Sequence, residues 1–262
     1  MSLLRIPLGR PIVEVDAQWA DRHLRSTLVA GIGVAGLARL QAARVLVVGA
    51  GGLGSPVLMY LAAAGVGLLG ICDADAVEHT NLQRQIIHGE HSVGQAKTES
   101  AAERLGALNS QLEVRTHGWA TPELLDELAG DYDLVLDCSD SFDAKYLLGD
   151  WCATNNMPLV WGSVVAMSWQ VSVFWRQPDD GGPGVRLRDL YPTQPAAGTT
   201  PSSLQVGVLG PVVGQAGATM ATEAVKLICG VGRPLFGRVL IADAGAGQYD
   251  TVVFAPDAMK RS

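Results

Sequence analysis

The sequence predicts an α/β protein: a mainly parallel sheet continued by antiparallel strands, with helices on both faces. Three observations predict it. Aliphatic runs at 44–48, 67–72 and 133–138 are continuous, as in parallel strands buried on both faces, and helical patterns separate them. The run 169–175 alternates instead, which marks a change to antiparallel pairing. A hydrophobic content of 48% with a mean hydropathy of +0.22 suits a large buried sheet.

The 262 residues fit one large α/β unit. We expect a flexible N-terminal arm over 1–15, a single domain over 16–255 and a C-terminal tail over 256–262. No stretch is apolar enough to span a bilayer, and the first residues, with Arg5, Pro7, Arg10 and Pro11, lack a secretory signal pattern. A cytoplasmic location is therefore expected, with no membrane association. The net charge of −7 and pI of about 5.2 argue against a nucleic-acid partner. Cys72, Cys138, Cys152 and Cys229 form no Cys-x-x-Cys pair and read as reduced, buried thiols.

Asp16 suits the N-cap of a helix over 16–29, on which Arg22 and Arg25 lie three apart and share a face. Two guanidinium groups there suit a phosphate or carboxylate, or simply a solvated face. After the strand 44–48, Gly49, Gly51, Gly52 and Gly54 satisfy G-x-G-x-x-G, and a helix with Leu58, Leu61 and Ala62 follows. Such a turn brings backbone N–H groups within reach of phosphates. The strand 67–72 ends in Asp73-Ala74-Asp75, and a carboxylate at this point of a Rossmann-like sheet hydrogen-bonds a ribose hydroxyl. Up to this point, a dinucleotide enzyme and an ATP enzyme look alike.

The segment 77–97 separates them. It carries Glu78, His79, Asn81, Gln83, Arg84 and Gln85, then Gly94 and Lys97. Arg84 and Lys97 bring two cations towards the glycine turn, as a triphosphate requires. Helical pattern then covers 97–108 and 122–129, flanking a strand over 112–116. The run 133–140 is a strand with an acidic end, where Asp140 suits either Mg²⁺ or the cap of the next helix. A helix over 144–155, strands over 158–162 and 169–175, an aperiodic stretch over 179–205, a helix over 210–230 and strands at 238–242 and 248–254 complete the chain.

In this order and spacing, Arg22-x-x-Arg25, Gly49 to Pro56, Asp73-x-Asp75, Asn81-Leu82-Gln83-Arg84-Gln85, Gly94-x-x-Lys97, Leu108-Asn109, Asp137-Cys138-Ser139-Asp140, Gly207-Val208-Leu209-Gly210-Pro211 and Glu223-Ala224-Val225-Lys226 resemble the ThiF/MoeB/HesA family. These are the bacterial relatives of ubiquitin-activating enzymes. The resemblance covers about 19–255. It implies an adenylyltransferase that activates the C-terminal Gly-Gly carboxylate of a ubiquitin-like, β-grasp sulfur carrier, in thiamine or molybdopterin-type biosynthesis or related sulfur transfer.

The resemblance further implies ATP over Gly49, Gly51, Gly52 and Gly54, with Asp73 on the ribose. Asp75 belongs to the same acidic turn. Asn81, Arg84 and Lys97 would hold phosphates and Asp140 would hold Mg²⁺. It implies a homodimer, with Arg25 reaching the partner's nucleotide. No general base is needed, since a carboxylate nucleophile is already ionised at neutral pH, so His79, His88 and His91 read as structural.

Four departures accompany these matches. Arg186 and Asp189 stand where many relatives have zinc cysteines, beside Leu190-Tyr191-Pro192, so no structural zinc is expected. Ser203 stands where some relatives carry a cysteine that links to the carrier, so no essential thioester is expected. Lys145 replaces a common arginine, and Ser168-Trp169 replaces Glu-Gly. The competing readings are a tRNA-carboxylate-activating dehydratase of the same superfamily, a degenerate carrier-binding module and an NAD dehydrogenase.

Overall fold

The structure, a computed structural model, describes residues 4–178, 182–196, 198–199 and 203–254, with the side chains of Ser203 and Leu204 excepted. Its centre is one sheet of β1 (Arg44–Val48), β2 (Leu68–Cys72), β3 (Glu113–His117), β4 (Leu134–Asp137), β5 (Leu159–Val165), β6 (Ser168–Phe174), β7 (Arg238–Asp243) and β8 (Gln248–Val253). The spatial order is β3-β2-β1-β4-β5-β6-β7-β8. β1 to β5 are mutually parallel, whereas β5 to β8 pair antiparallel. The reversal of strand order lies at β1, between β2 and β4, where ligand crevices form in such sheets.

The helices are α1 (Ala17–Arg22), α2 (Leu24–Thr27), α3 (Gly33–Ala42), α4 (Gly54–Ala64), α5 (Lys97–Leu108), α6 (Pro122–Glu127), α7 (Phe142–Thr154), α8 (Leu187–Leu190), α9 (Ser203–Val206) and α10 (Gly210–Cys229). Because successive strand residues face opposite sides, Val45 and Val47 belong to one core with residues of α4, α5 and α10. Leu46 and Val48 belong to the other, with residues of α6, α7 and α8. Both faces are thus covered, which explains the unbroken apolar strands. All four cysteines are free and buried.

Three expectations change. The helix expected over 16–29 is two helices, broken at His23, whose buried ring lies against Gly65 and bonds the Trp19 carbonyl at 2.9 Å. Arg22 and Arg25 therefore do not share one helix. The arm expected to be flexible is tied down by Ile6, which is 1% exposed. Its N–H donates to Leu227 O at 3.0 Å, and its carbonyl accepts from Arg39 at 2.7 Å. The stretch expected to be aperiodic over 179–205 contains the short helices α8 and α9. Residues 179–181, 197 and 200–202 of that stretch, and the tail 256–262, lie outside the described residues.

Candidate functional site

The glycine turn leads from β1 into α4, and each of two glycines meets a steric demand. Gly49 has φ of +101°, and a Cβ there would lie 2.7 Å from the Cys138 carbonyl, so β1 and the end of β4 approach closely. At Gly54 the helix packs directly on the Gly49 carbonyl. Gly51 and Gly52 are different. A Cβ on Gly51 would meet only the Gln85 side chain, at 3.6 Å, and one on Gly52 would meet Val213 and Arg84 at 3.5 and 3.7 Å. Both are half-buried, and at neither would a side chain meet backbone closely. No side chain caps the N-terminus of α4; the Ser55 N–H donates to Gly51 O at 2.9 Å and Pro56 has none, so Gly54 carries the first N–H there that a ligand could use.

Asp73 is fixed from both sides: its carboxylate accepts from the Ala50 N–H at 2.8 Å and from the Asp75 N–H at 2.9 Å. It thereby joins the end of β2 to the glycine turn. Asp75 in turn receives Lys97 Nζ at 2.7 Å, and Lys97 is buried while Asp75 is half exposed. One ammonium can make three such bonds, so this pair orients Lys97 without exhausting it. Arg84 donates to Thr80 O at 3.1 Å, with its stem beside Gly52. Asn81 is buried and its Oδ1 accepts from Glu78 N at 3.1 Å, so its carbonyl end shapes the 3-10 turn His79–Asn81 that presents Arg84.

On the other side of the switch point, Asp140 is exposed just beyond β4, and its carboxylate makes no hydrogen bond or ion pair among the described residues. Ser141, not Asp140, caps α7, accepting from Ala144 N at 3.2 Å. The loop carrying Asp140 is anchored by Asp137, fully buried, which accepts from Ser139 N at 3.0 Å and Ser139 Oγ at 2.5 Å. Its countercharge is Lys145 Nζ at 3.4 Å, which also donates to Gly162 O at 2.6 Å and lies over the Trp161 ring. The unusual lysine is thus a buried strut under the crevice.

Arg22 donates to Leu108 O at 2.7 Å and lies over Trp19, whereas Arg25 is exposed without a partner among the described residues. Arg186 and Asp189 bind each other, through the Arg186 N–H at 2.7 Å and the guanidinium at 3.1 Å. The side chain of Ser203 lies outside the described residues. Among those residues no three His, Cys, Asp or Glu side chains gather as a metal cluster.

Two residues named from the sequence without a partner sit against the glycine turn. Gln85 is buried against Gly51 with its Oε1 unpartnered. His88 bonds Ala50 O and Ser100 Oγ, each at 2.9 Å, and joins the glycine turn to α5. Because a carbonyl only accepts, Nε2 carries the proton and Nδ1 accepts from the serine. Burial, helped by the Lys97 charge, lowers the His88 pKa and keeps the ring neutral at pH 7, against the opposing effect of its Ala50 bond.

Comparison with known proteins gives a family and several relatives. The ThiF family model matches residues 23–260. The chain is 44% identical over 258 residues to the probable adenylyltransferase/sulfurtransferase MoeZ of Mycobacterium tuberculosis, covering 98% of this chain and 66% of that protein. It therefore spans just under two thirds of MoeZ's length. It is 41% identical over 225 residues to the sulfur carrier protein adenylyltransferase of Thermus thermophilus, covering 86% and 83% of the two chains. Among solved structures, E. coli MccB with MccA-N7isoASN superposes with a TM-score of 0.78 at 21% identity, over 90% of this chain and 72% of that one. That likeness concerns the fold.

Proposed function

The chain belongs to the ThiF family, and from that membership we propose that it is an ATP-dependent adenylyltransferase. Its substrate is the C-terminal carboxylate of a ubiquitin-like sulfur carrier ending in Gly-Gly. The relatives named for adenylyl transfer and sulfur-carrier activation support the reaction class. The observation that carries it is the convergence on one glycine turn of Asp73, Arg84 and the Asp75-held Lys97.

In this reaction a carboxylate oxygen of the carrier attacks the α-phosphorus of ATP. The bond from that phosphorus to the bridging oxygen of the β-phosphate breaks, and pyrophosphate leaves with the electron pair. The products are the acyl adenylate and pyrophosphate. Nucleophile and phosphates all carry negative charge, so the protein's task is neutralisation and alignment. Asp73 accepts the ribose hydroxyls; the N–H groups of Gly51, Gly52 and Gly54 bind phosphate oxygens; Lys97 and Arg84 offset charge. Asp140 fits Mg²⁺, because an exposed, unpartnered carboxylate supplemented by substrate phosphates is how that ion is held. Mg²⁺ bound there supplies countercharge to the phosphates.

The assembly we propose is a homodimer. Leu24, Leu28, Val29 and Val34 expose 50–72% of their surface around Arg25, a patch that suits a second copy of the chain. Arg25 then serves the partner's nucleotide. We further propose that the domain holds without zinc, with the Arg186–Asp189 pair in the place of a metal hook, and that the reaction ends at the adenylate without a thioester at Ser203. Among the described residues no helix is long and apolar enough to cross a membrane, and we place the reaction in the cytoplasm.

Hydroxylamine trapping tests the proposal. Protein, Mg-ATP and a Gly-Gly carrier should yield the carrier hydroxamate, detected by mass. No hydroxamate with any β-grasp carrier of the same genome would refute it.

A further inference from the structure

Five of the six tryptophans are buried, at 2–9% exposure, and Trp119 alone stands out at 66%. Water does not favour such a ring, and its place in the fold is informative. The last paired residues of β2 and β3 are Cys72 and His117. Ala74 and Trp119 each lie two residues beyond those strand ends. The Asp73 N–H donates to His117 O at 3.3 Å, so the two chain ends stay together beyond the ladder. Trp119 and the exposed Ala74 therefore both lie at the end of the sheet where Asp73 joins the glycine turn.

Sheet order fixes what belongs there. The glycine turn at the end of β1 takes phosphates and Asp73 at the end of β2 takes ribose. The base, on the other side of the ribose, extends towards β3 and its loop. That loop is held in place. Thr121 N donates to Trp119 O at 2.9 Å, Thr121 caps α6, and Ala120 packs against the core. The loop holds its backbone firmly while leaving its one large apolar ring uncovered.

We propose that Trp119 stacks on the purine of the nucleotide bound over the glycine turn. The proposal rests on the nucleotide reading above and adds a base-positioning residue to it. Stacking of a base on an aromatic ring is lost on truncation and largely kept by another ring.

The test is calorimetry of Mg-ATP and of Mg-tripolyphosphate, which has no base, on the full chain. Trp119→Ala should raise the Kd for Mg-ATP by about tenfold to a hundredfold and leave tripolyphosphate binding unchanged. Trp119→Phe should restore most of the ATP affinity. Mg-ATP should quench the tryptophan emission of the wild-type protein, and Trp119→Phe should remove that quenching. Unchanged ATP affinity in Trp119→Ala, or equal loss for ATP and tripolyphosphate, would overturn the stacking role and leave the nucleotide site standing. Emission that answers to protein dilution and not to Mg-ATP would likewise overturn it, by placing the ring in a contact between copies. A wild-type protein that binds no Mg-ATP would overturn both.

Discussion

His88 ties the carbonyl of Ala50 to Ser100 while the Ala50 N–H holds Asp73, so one residue of the turn is gripped at both ends of its peptide. Replacing it by alanine orphans two buried groups and should cost about 1–3 kcal/mol, read from urea unfolding. Its pH dependence has a definite sign. The folded pKa lies below the unfolded value of about 6.5. The contribution is therefore fully present above that pH and is lost as pH falls towards the folded pKa. The wild-type urea midpoint should decline below about pH 6.5, and more shallowly in His88→Gln; identical slopes would contradict the role. Lys145→Met strips Asp137 of its countercharge at a fully buried site and should cost about 3–5 kcal/mol. Adding Asp137→Asn should recover part of that loss. At this scale the placement of Gly49, Asp73 and Asp140 beside strand ends was legible, and Arg84 lies beside the glycine turn as the polar segment 77–97 led us to expect. His88 was read as structural, as its bonds bear out, but its contact and that of Gln85 were illegible, since each reaches the glycine turn across more than thirty residues.

At the level of elements, the strand–turn–helix of β1 and α4 was legible because continuous apolar runs, glycine spacing and helical periodicity agree. The break between α1 and α2 was not. It depends on the burial of His23 against Gly65 and Trp19, a tertiary contact with no local signal. The hairpin between β5 and β6 carries a second such feature. Its turn is Ala166-Met167, between the paired Val165 and Ser168, and Ala166 has φ of +53°. Its N–H and carbonyl are both bonded to the segment leading into α10, at Gly207 O and Leu209 N. That backbone conformation costs an alanine about 1 kcal/mol and suits asparagine better. Ala166→Asn should raise the urea midpoint modestly and Ala166→Val should lower it; the reverse order would show that the turn is unstrained.

For the whole molecule, the doubly covered parallel half and the antiparallel extension followed from composition and pattern, whereas the anchoring of Ile6 on α10 did not, being a contact between chain ends. The dimer is the largest claim at this scale. Leu28→Glu, on the exposed patch, should give monomers in sedimentation analysis at micromolar concentration. Mixing Arg25→Ala with Lys97→Ala subunits should restore activity that neither variant has alone, and no restoration would place Arg25 within its own subunit. The central claim is that the crevice at the glycine turn joins a protein carboxylate to AMP. Exchange of labelled pyrophosphate into ATP measures that step directly. The account predicts exchange that requires both Mg²⁺ and a carrier ending in Gly-Gly, and that disappears in Asp140→Ala while the fold is retained. Exchange without a carrier, or undiminished exchange in Asp140→Ala, would contradict it.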